Sequence, residues 1–162
     1  MKTLLILRHA KAQPDSPQGD WSRDLAERGR RDAPKMGNLI RERIGPPDAI
    51  VSSDAHRARQ TAELAAAAIG FDAAIVFDHA IYDGGLADLT GVVQSLPQTA
   101  GTVLLVGHNP GMEALVAYLS GTEVRLPTAG LAHLALDVDR WVDAGERSGR
   151  LVVSYTPKEL KA

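Results

Sequence analysis

The chain alternates short apolar runs with longer segments in which apolar residues recur at helical spacing. The apolar runs cover residues 4–7, 49–51, 74–77 and 102–106. Because the apolarity of these runs is continuous rather than alternating, it predicts strands buried on both faces, as in a parallel sheet covered by helices.

Helical patterns separate these runs. Ala33, Met36, Ile40 and Ile44 have the spacing of one helix face, and the Gly-Pro-Pro sequence at 45–47 ends that helix. Three further helices, each followed closely by a Gly or a Pro, are predicted over 58–69, 86–96 and 112–119.

The last third of the chain has a different pattern. Two strand-like runs, 131–138 and 151–155, follow each other without a convincing helix between them. We expect them to add further strands, for which an antiparallel direction is open. The whole pattern predicts an α/β fold, a three-layer sandwich with a mostly parallel central sheet flanked by helices. We expect residues 1–162 to form it as one domain.

Composition narrows the function. The 162 residues include 18 Lys and Arg against 20 Asp and Glu, so the strongly basic surface of a nucleic-acid binder is missing. No Cys is present, which excludes disulfides, thiolate metal sites and a cysteine nucleophile. The apolar run 4–7 is too short for a signal peptide, and no run approaches the roughly 20 apolar residues of a membrane span. We therefore expect a soluble cytoplasmic protein without nucleic-acid or membrane partners.

Charged and polar residues follow three of the predicted strands at their carboxyl ends, where ligands bind in open α/β sheets. They are Arg8 and His9 after the first run, Ser52, Ser53, His56 and Arg57 after the second, and Gly107, His108 and Asn109 after the fourth. Arginine presents a planar fork of donors to phosphate oxygens, and two arginines can neutralise a dianion. The predicted site therefore suits a phosphoryl group.

Asn109 and Pro110 add to this interpretation. We expect Asn109 to be the N-cap of a helix with Pro110 at its first position, so that free backbone N–H groups there attract an anion. The other histidines, His56, His79 and His133, show no such convergence and are interpreted as structural or solvated.

Three segments resemble motifs of the histidine phosphatase superfamily, which includes the phosphoglycerate mutases. Residues 5–10, LILRHA, resemble its Arg-His-Gly/Ala signature, and residues 51–62, VSSDAHRARQTA, resemble a motif in which a strand-end Ser precedes an Arg and a Gln-Thr-Ala helix. Residues 106–111, VGHNPG, resemble the motif around the second histidine. The start RHAKA and the form GHNP are most similar to the SixA-type phosphohistidine phosphatases, and the resemblance spans residues 4 to about 120.

The resemblance implies a mechanism. His9 would be the nucleophile, neutral at its attacking nitrogen, and would form a phosphohistidine that water hydrolyses. Its other ring N–H would be held by an acceptor such as a backbone carbonyl. Arg8, Arg57 and a protonated His108 would bind the phosphoryl group, with Asn109 helping through its backbone. The resemblance implies no metal and no other cofactor.

Two departures from the family bear on the substrate. Members that hydrolyse alkyl phosphates usually carry a Glu as general acid after the third strand, whereas no Glu lies between Glu63 and Glu113. Asp83 is the candidate substitute acid, with Asp78 and Asp88 nearby, and its alternative role is that of a turn residue. Only about 24 residues, 78–101, separate the third and fourth apolar runs, so the large helical insertion of the mutases is absent. An open pocket would favour a bulky substrate such as a phosphorylated protein.

The favoured interpretation is a metal-independent phosphatase that dephosphorylates phosphohistidine on a signalling protein. One alternative is a phosphatase for small phosphomonoesters, and another is a module that binds phosphoproteins without turnover. Asp137 and Asp139 mimic the Asp-x-Asp of magnesium-dependent haloacid dehalogenase-type phosphatases, although not after the first strand. Nucleotide binding is weaker still, since no P-loop and no Gly-x-Gly-x-x-Gly occurs at a strand–helix junction.

Overall fold

The structure, a computed structural model, describes residues 1–160. Its six-stranded sheet consists of β1 (Lys2–Arg8), β2 (Ala49–Ser52), β3 (Val76–Phe77), β4 (Thr102–Gly107), β5 (Leu131–Leu136) and β6 (Gly149–Tyr155). The helices are α1 (Glu27–Arg43), α2 (His56–Ile69), α3 (Ala80–Asp83), α4 (Leu86–Gln94) and α5 (Gly111–Ser120). Three 3₁₀ turns cover Asp20–Ser22, Trp141–Asp143 and Pro157–Glu159. No helix within residues 1–160 is long and apolar enough to cross a lipid bilayer.

Helices cover both faces of the sheet, as β1 illustrates. Successive side chains of a strand point to opposite faces. Leu4 and Ile6 pack on the side of α4 and α5, whereas Leu5 and Leu7 pack beneath α1 and α2, and all four are fully buried. This burial on two faces explains the continuous apolar run, and the predicted three-layer α/β sandwich is confirmed.

The order of the strands creates a crevice. The order is β3-β2-β4-β1-β5-β6; the first four strands run parallel, and β5 is antiparallel to both of its neighbours. The helix that follows β1 lies on one face, and the helix that follows the adjacent β4 lies on the other. Such a divergence opens a crevice at the carboxyl ends of the two strands, where ligands bind in this class of fold.

The edge of the sheet differs from the prediction. Only Val76 and Phe77 form β3, and Val76 is 57% exposed because β3 is the outermost strand. The run 74–77 is therefore not a strand buried on both faces. The helix predicted over 86–96 ends at Gln94, and the short helix α3 precedes it.

The first turn of α1 packs against the chain that follows β1. Ala12 and Leu25 form an isolated antiparallel bridge, and the Lys11 carbonyl accepts a hydrogen bond from the Ala26 N–H at 2.9 Å. A Cβ added at Gly29 would overlap the Lys11 backbone. A residue without a side chain is therefore required there, and α1 is held against this segment.

Candidate active site

His9 follows the last residue of β1 and is neutral in its surroundings. Its side chain is buried, and its Nδ1 lies 2.8 Å from the Ala10 carbonyl oxygen. The pKa of His9 is lowered to about 4, mainly by burial; the charges of Arg57 and Arg8 act in the same direction, and the hydrogen bond to Ala10 opposes them. Because a carbonyl oxygen can only accept, Nδ1 carries the proton and donates it to Ala10. The lone pair of His9 is therefore on Nε2.

Thr61 holds the peptide that orients His9. This fully buried residue of α2 accepts a hydrogen bond from the Ala10 N–H at 3.0 Å through its Oγ1. The same hydroxyl donates to the Arg57 carbonyl at 2.7 Å. One hydroxyl thus joins the chain after β1 to the first turn of α2.

His108 follows β4 and lies beside His9, with ring centroids 5.1 Å apart. Its Nε2 is 2.8 Å from the Ser53 hydroxyl, and its buried Nδ1 has no hydrogen-bond partner among residues 1–160. The pKa of His108 is lowered to about 3, mainly by burial, with smaller contributions in the same direction from the neighbouring His9 and Arg57. His108 is therefore neutral near pH 7 in these surroundings, whereas the sequence analysis expected a protonated ring.

Arg8 and Arg57 bring two guanidinium groups to the same crevice. Arg57, in the first turn of α2 and only 5% exposed, donates from Nη1 to the Asp20 carbonyl at 2.8 Å and from Nη2 to the Asp20 carboxylate at 3.1 Å. Arg8 donates from Nη1 to the Leu126 carbonyl at 3.1 Å. The Nε atoms of both arginines are buried and have no protein partner within the described residues 1–160. Burial lowers the pKa of Arg8, but a guanidinium stays charged at neutral pH.

Asp20 closes the crevice from the loop before α1. Its carboxylate accepts hydrogen bonds from Tyr82 Oη at 2.7 Å, Arg23 Nε at 3.0 Å and Arg57 Nη2. The Tyr82 hydrogen bond, helped by Arg57 and Arg23, lowers the pKa of Asp20 to about 2 although partial burial opposes the shift. Asp20 is therefore an ionised partner of the arginine.

Sequence reasoning did not find Asp20, Thr61 or Tyr82. Thr61 lies in the Gln-Thr-Ala part of the second motif, and that position could have drawn attention to it. Asp20 and Tyr82 carry no local signal, because their contact joins residues 62 positions apart.

The Asn109 side chain is engaged with protein groups. Its Nδ2 donates to the Leu126 carbonyl at 2.9 Å, and its Oδ1 accepts from the Glu113 N–H at 3.2 Å. Helix α5 begins at Gly111, so Pro110 is the capping residue and not the first helical one. The expected arrangement is thus shifted by one residue.

Asp83 is paired with a histidine at the rim of the crevice. Its carboxylate lies 3.4 Å from His79 Nε2, and its side chain is 63% exposed. His79 Nδ1 lies 2.9 Å from Asp54, whose carboxylate also accepts from Trp21 Nε1 at 3.1 Å. The hydrogen bond to Asp54 is the main reason why the pKa of His79 is raised.

The other two acidic candidates form local turns. Asp78 accepts from the Ala80 N–H at 2.9 Å, and Asp88 accepts from the Gly85 N–H at 3.0 Å. Within residues 1–160, no group of three or more His, Cys, Asp or Glu is arranged to hold a metal ion.

Comparison with known proteins agrees with this geometry. A sequence model of the histidine phosphatase superfamily (branch 1) matches residues 4–83. The uncharacterized protein Rv1276c of Mycobacterium tuberculosis is 31% identical over 163 residues, covering 94% of this chain and 100% of that protein. A protein assigned as the phosphohistidine phosphatase SixA of Nakamurella multipartitia is 31% identical, with a TM-score of 0.82 over 96% of each chain. The protein histidine phosphatase SixA in complex with tungstate shares the fold, with a TM-score of 0.85 at 22% identity over 98% of this chain and 99% of that one.

The chain belongs to the histidine phosphatase superfamily and is a phosphatase with the phosphoglycerate mutase-like fold. Within that superfamily it is similar to the SixA-type phosphohistidine phosphatases. Only α3 and α4 connect β3 to β4, so the large helical insertion of the mutases is absent from this connection.

Proposed function

We propose that this phosphatase removes the phosphoryl group from a phosphohistidine on a signalling protein, through a phosphohistidine formed on His9 and without a metal ion. The observation that carries the proposal is the state of His9. Its Nδ1–H is held by the Ala10 carbonyl, and its pKa of about 4 keeps Nε2 unprotonated at neutral pH. A buried, oriented and neutral imidazole is a competent nucleophile.

The reaction has two steps. In the first, the Nε2 lone pair of His9 attacks phosphorus, the bond from phosphorus to the substrate imidazole breaks, and that imidazole leaves neutral because its ring has taken a proton from solvent. In the second, water attacks the phosphohistidine. Its oxygen and both of its protons become part of inorganic phosphate, the bond from phosphorus to Nε2 breaks, and neutral His9 is regenerated.

The surrounding groups have separate roles in this proposal. Arg8 and Arg57 bind the equatorial oxygens, on which charge develops in the transition state. Arg57 already binds a carboxylate oxygen of Asp20, so the phosphoryl group has to share or replace that contact. A phosphoryl dianion beside His108 favours its protonated form, so His108 takes up a proton as the substrate binds. Asn109 helps through its backbone.

The acidic side chains of the rim favour phosphohistidine over an alkyl phosphate. An alkoxide leaving group needs a positioned acid, a contribution of roughly 10²- to 10⁴-fold. Asp83, the candidate acid, is paired with His79, while Asp78 and Asp88 bind backbone N–H groups. A protonated imidazole leaves without such help, so this site suits a phosphohistidine substrate.

A turnover screen tests the proposal. Phosphate release is measured from a phosphohistidine-bearing protein, a sugar phosphate and nitrophenyl phosphate, each with a chelator and with added magnesium. We expect turnover of the phosphohistidine protein and nitrophenyl phosphate in chelator, slow turnover of the sugar phosphate, and none with His9→Ala. A strict magnesium requirement, a marked preference for the sugar phosphate, or binding of the phosphoprotein without phosphate release would contradict the proposal.

A further inference from the structure

A second concave surface lies between α1, the loop at Pro127 and Thr128, and the 3₁₀ turn Pro157–Glu159. It encloses a cavity of about 550 Å³. Four cationic side chains line this cavity, and we call them the basic surface: Arg28, Arg31, Lys35 and Lys158.

The basic surface carries positive charge that its acidic neighbours do not balance. Asp32 is the acidic residue in the cavity wall, and its buried carboxylate lies 3.9 Å from both Arg28 and Lys35. Glu27 pairs with Arg31 at 3.2 Å. Glu159 accepts a hydrogen bond at 2.8 Å from the hydroxyl of Thr156, which also lines the cavity. Four cations thus face three carboxylates, although the whole chain has a net charge of −2. The side chains of Arg28 and Arg31 are more than half exposed and can contact a partner.

The basic surface borders the catalytic crevice. Arg28 Nη2 donates to the Thr128 hydroxyl at 3.3 Å. The next residue, Ala129, donates its N–H to the carbonyls of Arg8 and His9 at 3.1 and 3.0 Å. The 3₁₀ turn Pro157–Glu159 follows β6, which runs in the same direction as β1 and ends at the same edge of the sheet. A protein that presents a side chain to His9 therefore reaches the basic surface as well.

The rim on the side of α3 has the opposite charge. Its acidic residues are Asp54, Asp78, Asp83 and Asp88, and His79 lies between Asp54 and Asp83. A substrate protein docked over the crevice thus meets positive charge on the side of α1 and negative charge on the side of α3. Such a polarity selects an orientation as well as a partner.

We propose that the basic surface binds an acidic region of the phosphorylated protein whose phosphohistidine enters the crevice. This inference rests on the proposed function, because it concerns the protein that carries the phosphohistidine. Docking by exposed charges acts on encounter and affinity, so it lowers KM, leaves kcat unchanged and weakens as salt rises. The catalytic groups and the docking groups are different residues, so the two roles are separable.

A pair of charge reversals isolates the docking role. Arg31→Glu with Lys158→Glu reverses two exposed charges on different elements and leaves Asp32 with its partners. The matched control is Arg140→Glu with Arg150→Glu. Arg140 follows the last residues of β5, and Arg150 lies in the first residues of β6. Both strand ends lie beside the start of β1, at the end of the sheet opposite to His9.

Three substrates separate docking from chemistry. Two 15-residue peptides carry a central phosphohistidine, one with Asp and Glu on both flanks and one with Lys, and each spans about 50 Å when extended. Nitrophenyl phosphate reports the crevice alone. We expect kcat/KM for the acidic peptide to fall about 10-fold in the reversed variant, that for the Lys peptide to rise, and nitrophenyl phosphate turnover to stay within about twofold. The control variant should match the wild type on all three.

Direct binding keeps the inference testable if the proposed substrate class is wrong. Fluorescence polarisation measures docking without turnover. The two peptides, each with an unphosphorylated His, are titrated with the His9→Ala protein and with the same protein that also carries the reversed charges. Preference for the acidic peptide that reverses in the variant supports the basic surface. The inference would be overturned if the reversed charges weakened binding of both peptides equally or did not weaken binding of the acidic peptide. It would also be overturned if kcat/KM for nitrophenyl phosphate fell as much as kcat/KM for the acidic peptide. Selective loss of inorganic pyrophosphate binding would also overturn it, in favour of a small-anion site.

Discussion

Acidification from pH 7 to pH 5 should destabilise this protein through its buried histidines. Burial lowers the pKa of His9 from 6.5 to about 4 and that of His108 from 6.5 to about 3. As the pH falls, the unfolded chain therefore takes up these protons before the folded chain does. The free energy of unfolding is therefore highest, as far as these two rings are concerned, above pH 6.5. It decreases as the pH falls from 6.5 toward the pKa of each ring in the folded state.

The magnitude follows from the two pKa values of His9. At pH 7 the ring is mostly neutral in both states. At pH 5 it is almost fully protonated in the unfolded chain and still mostly neutral in the folded one, which costs about 2 kcal/mol of unfolding free energy. Asp20, with a pKa of about 2, keeps its stabilising charge in this range. The raised pKa of His79 acts in the opposite direction, because its contribution grows as the pH falls.

Urea unfolding at pH 7 and pH 5 measures this loss in the wild type and in His9→Gln. Glutamine is polar and of similar size but does not titrate. The loss from pH 7 to pH 5 should be about 2 kcal/mol smaller in His9→Gln than in the wild type. Equal losses in His9→Gln and the wild type would refute a neutral, buried His9 and weaken its assignment as nucleophile.

Four further outcomes are expected from single substitutions. His9→Ala should abolish turnover, and base-quenched wild type should carry alkali-stable, acid-labile phosphate on a peptide containing His9; label on an Asp would contradict the mechanism. Arg57→Ala should lower kcat/KM by about 100-fold or more, with little rescue by Arg57→Lys, because a point charge cannot replace the fork; full rescue would count against bidentate binding. Thr61→Val should cost about 1–3 kcal/mol in urea unfolding and lower kcat, because the Ala10 N–H loses its acceptor; an unchanged kcat would exclude a positioning role. If Asp83 acts as an acid, Asp83→Asn should depress alkyl phosphate hydrolysis while sparing phosphohistidine and nitrophenyl phosphate; equal effects on all three substrates would leave it as a partner of His79.

The sequence predicted the centre of the fold better than its edge. In β1 every residue from Leu4 to Leu7 is buried, so its composition reports the strand directly. At the edge, Val76 is exposed and has a neighbouring strand on one side only, so an apolar run is a poor guide to where β3 begins. The antiparallel direction of β5 depends on its pairing with β1, which no local pattern encodes.

The sequence also predicted the residues that meet in the crevice, because strand ends converge by topology. Arg8, His9, Arg57 and His108 were found in this way. The partners of Arg57 were not, since Asp20 lies 37 residues away in a loop without a periodic pattern. The neutral state of His108 was also missed, because a pKa depends on burial by distant parts of the chain and not on residue type.

The close approach of Gly29 to Lys11 limits how this enzyme can diversify. Helix α1 and the segment that follows His9 are in contact at Gly29 and Lys11, where there is no space for a side chain. Neither of them can therefore move without the other. Heritable changes that retain activity must therefore leave this contact intact. Variation in partner choice is left to the loop at 13–19 and to the exposed side chains of α1, where new residues can accumulate without displacing His9.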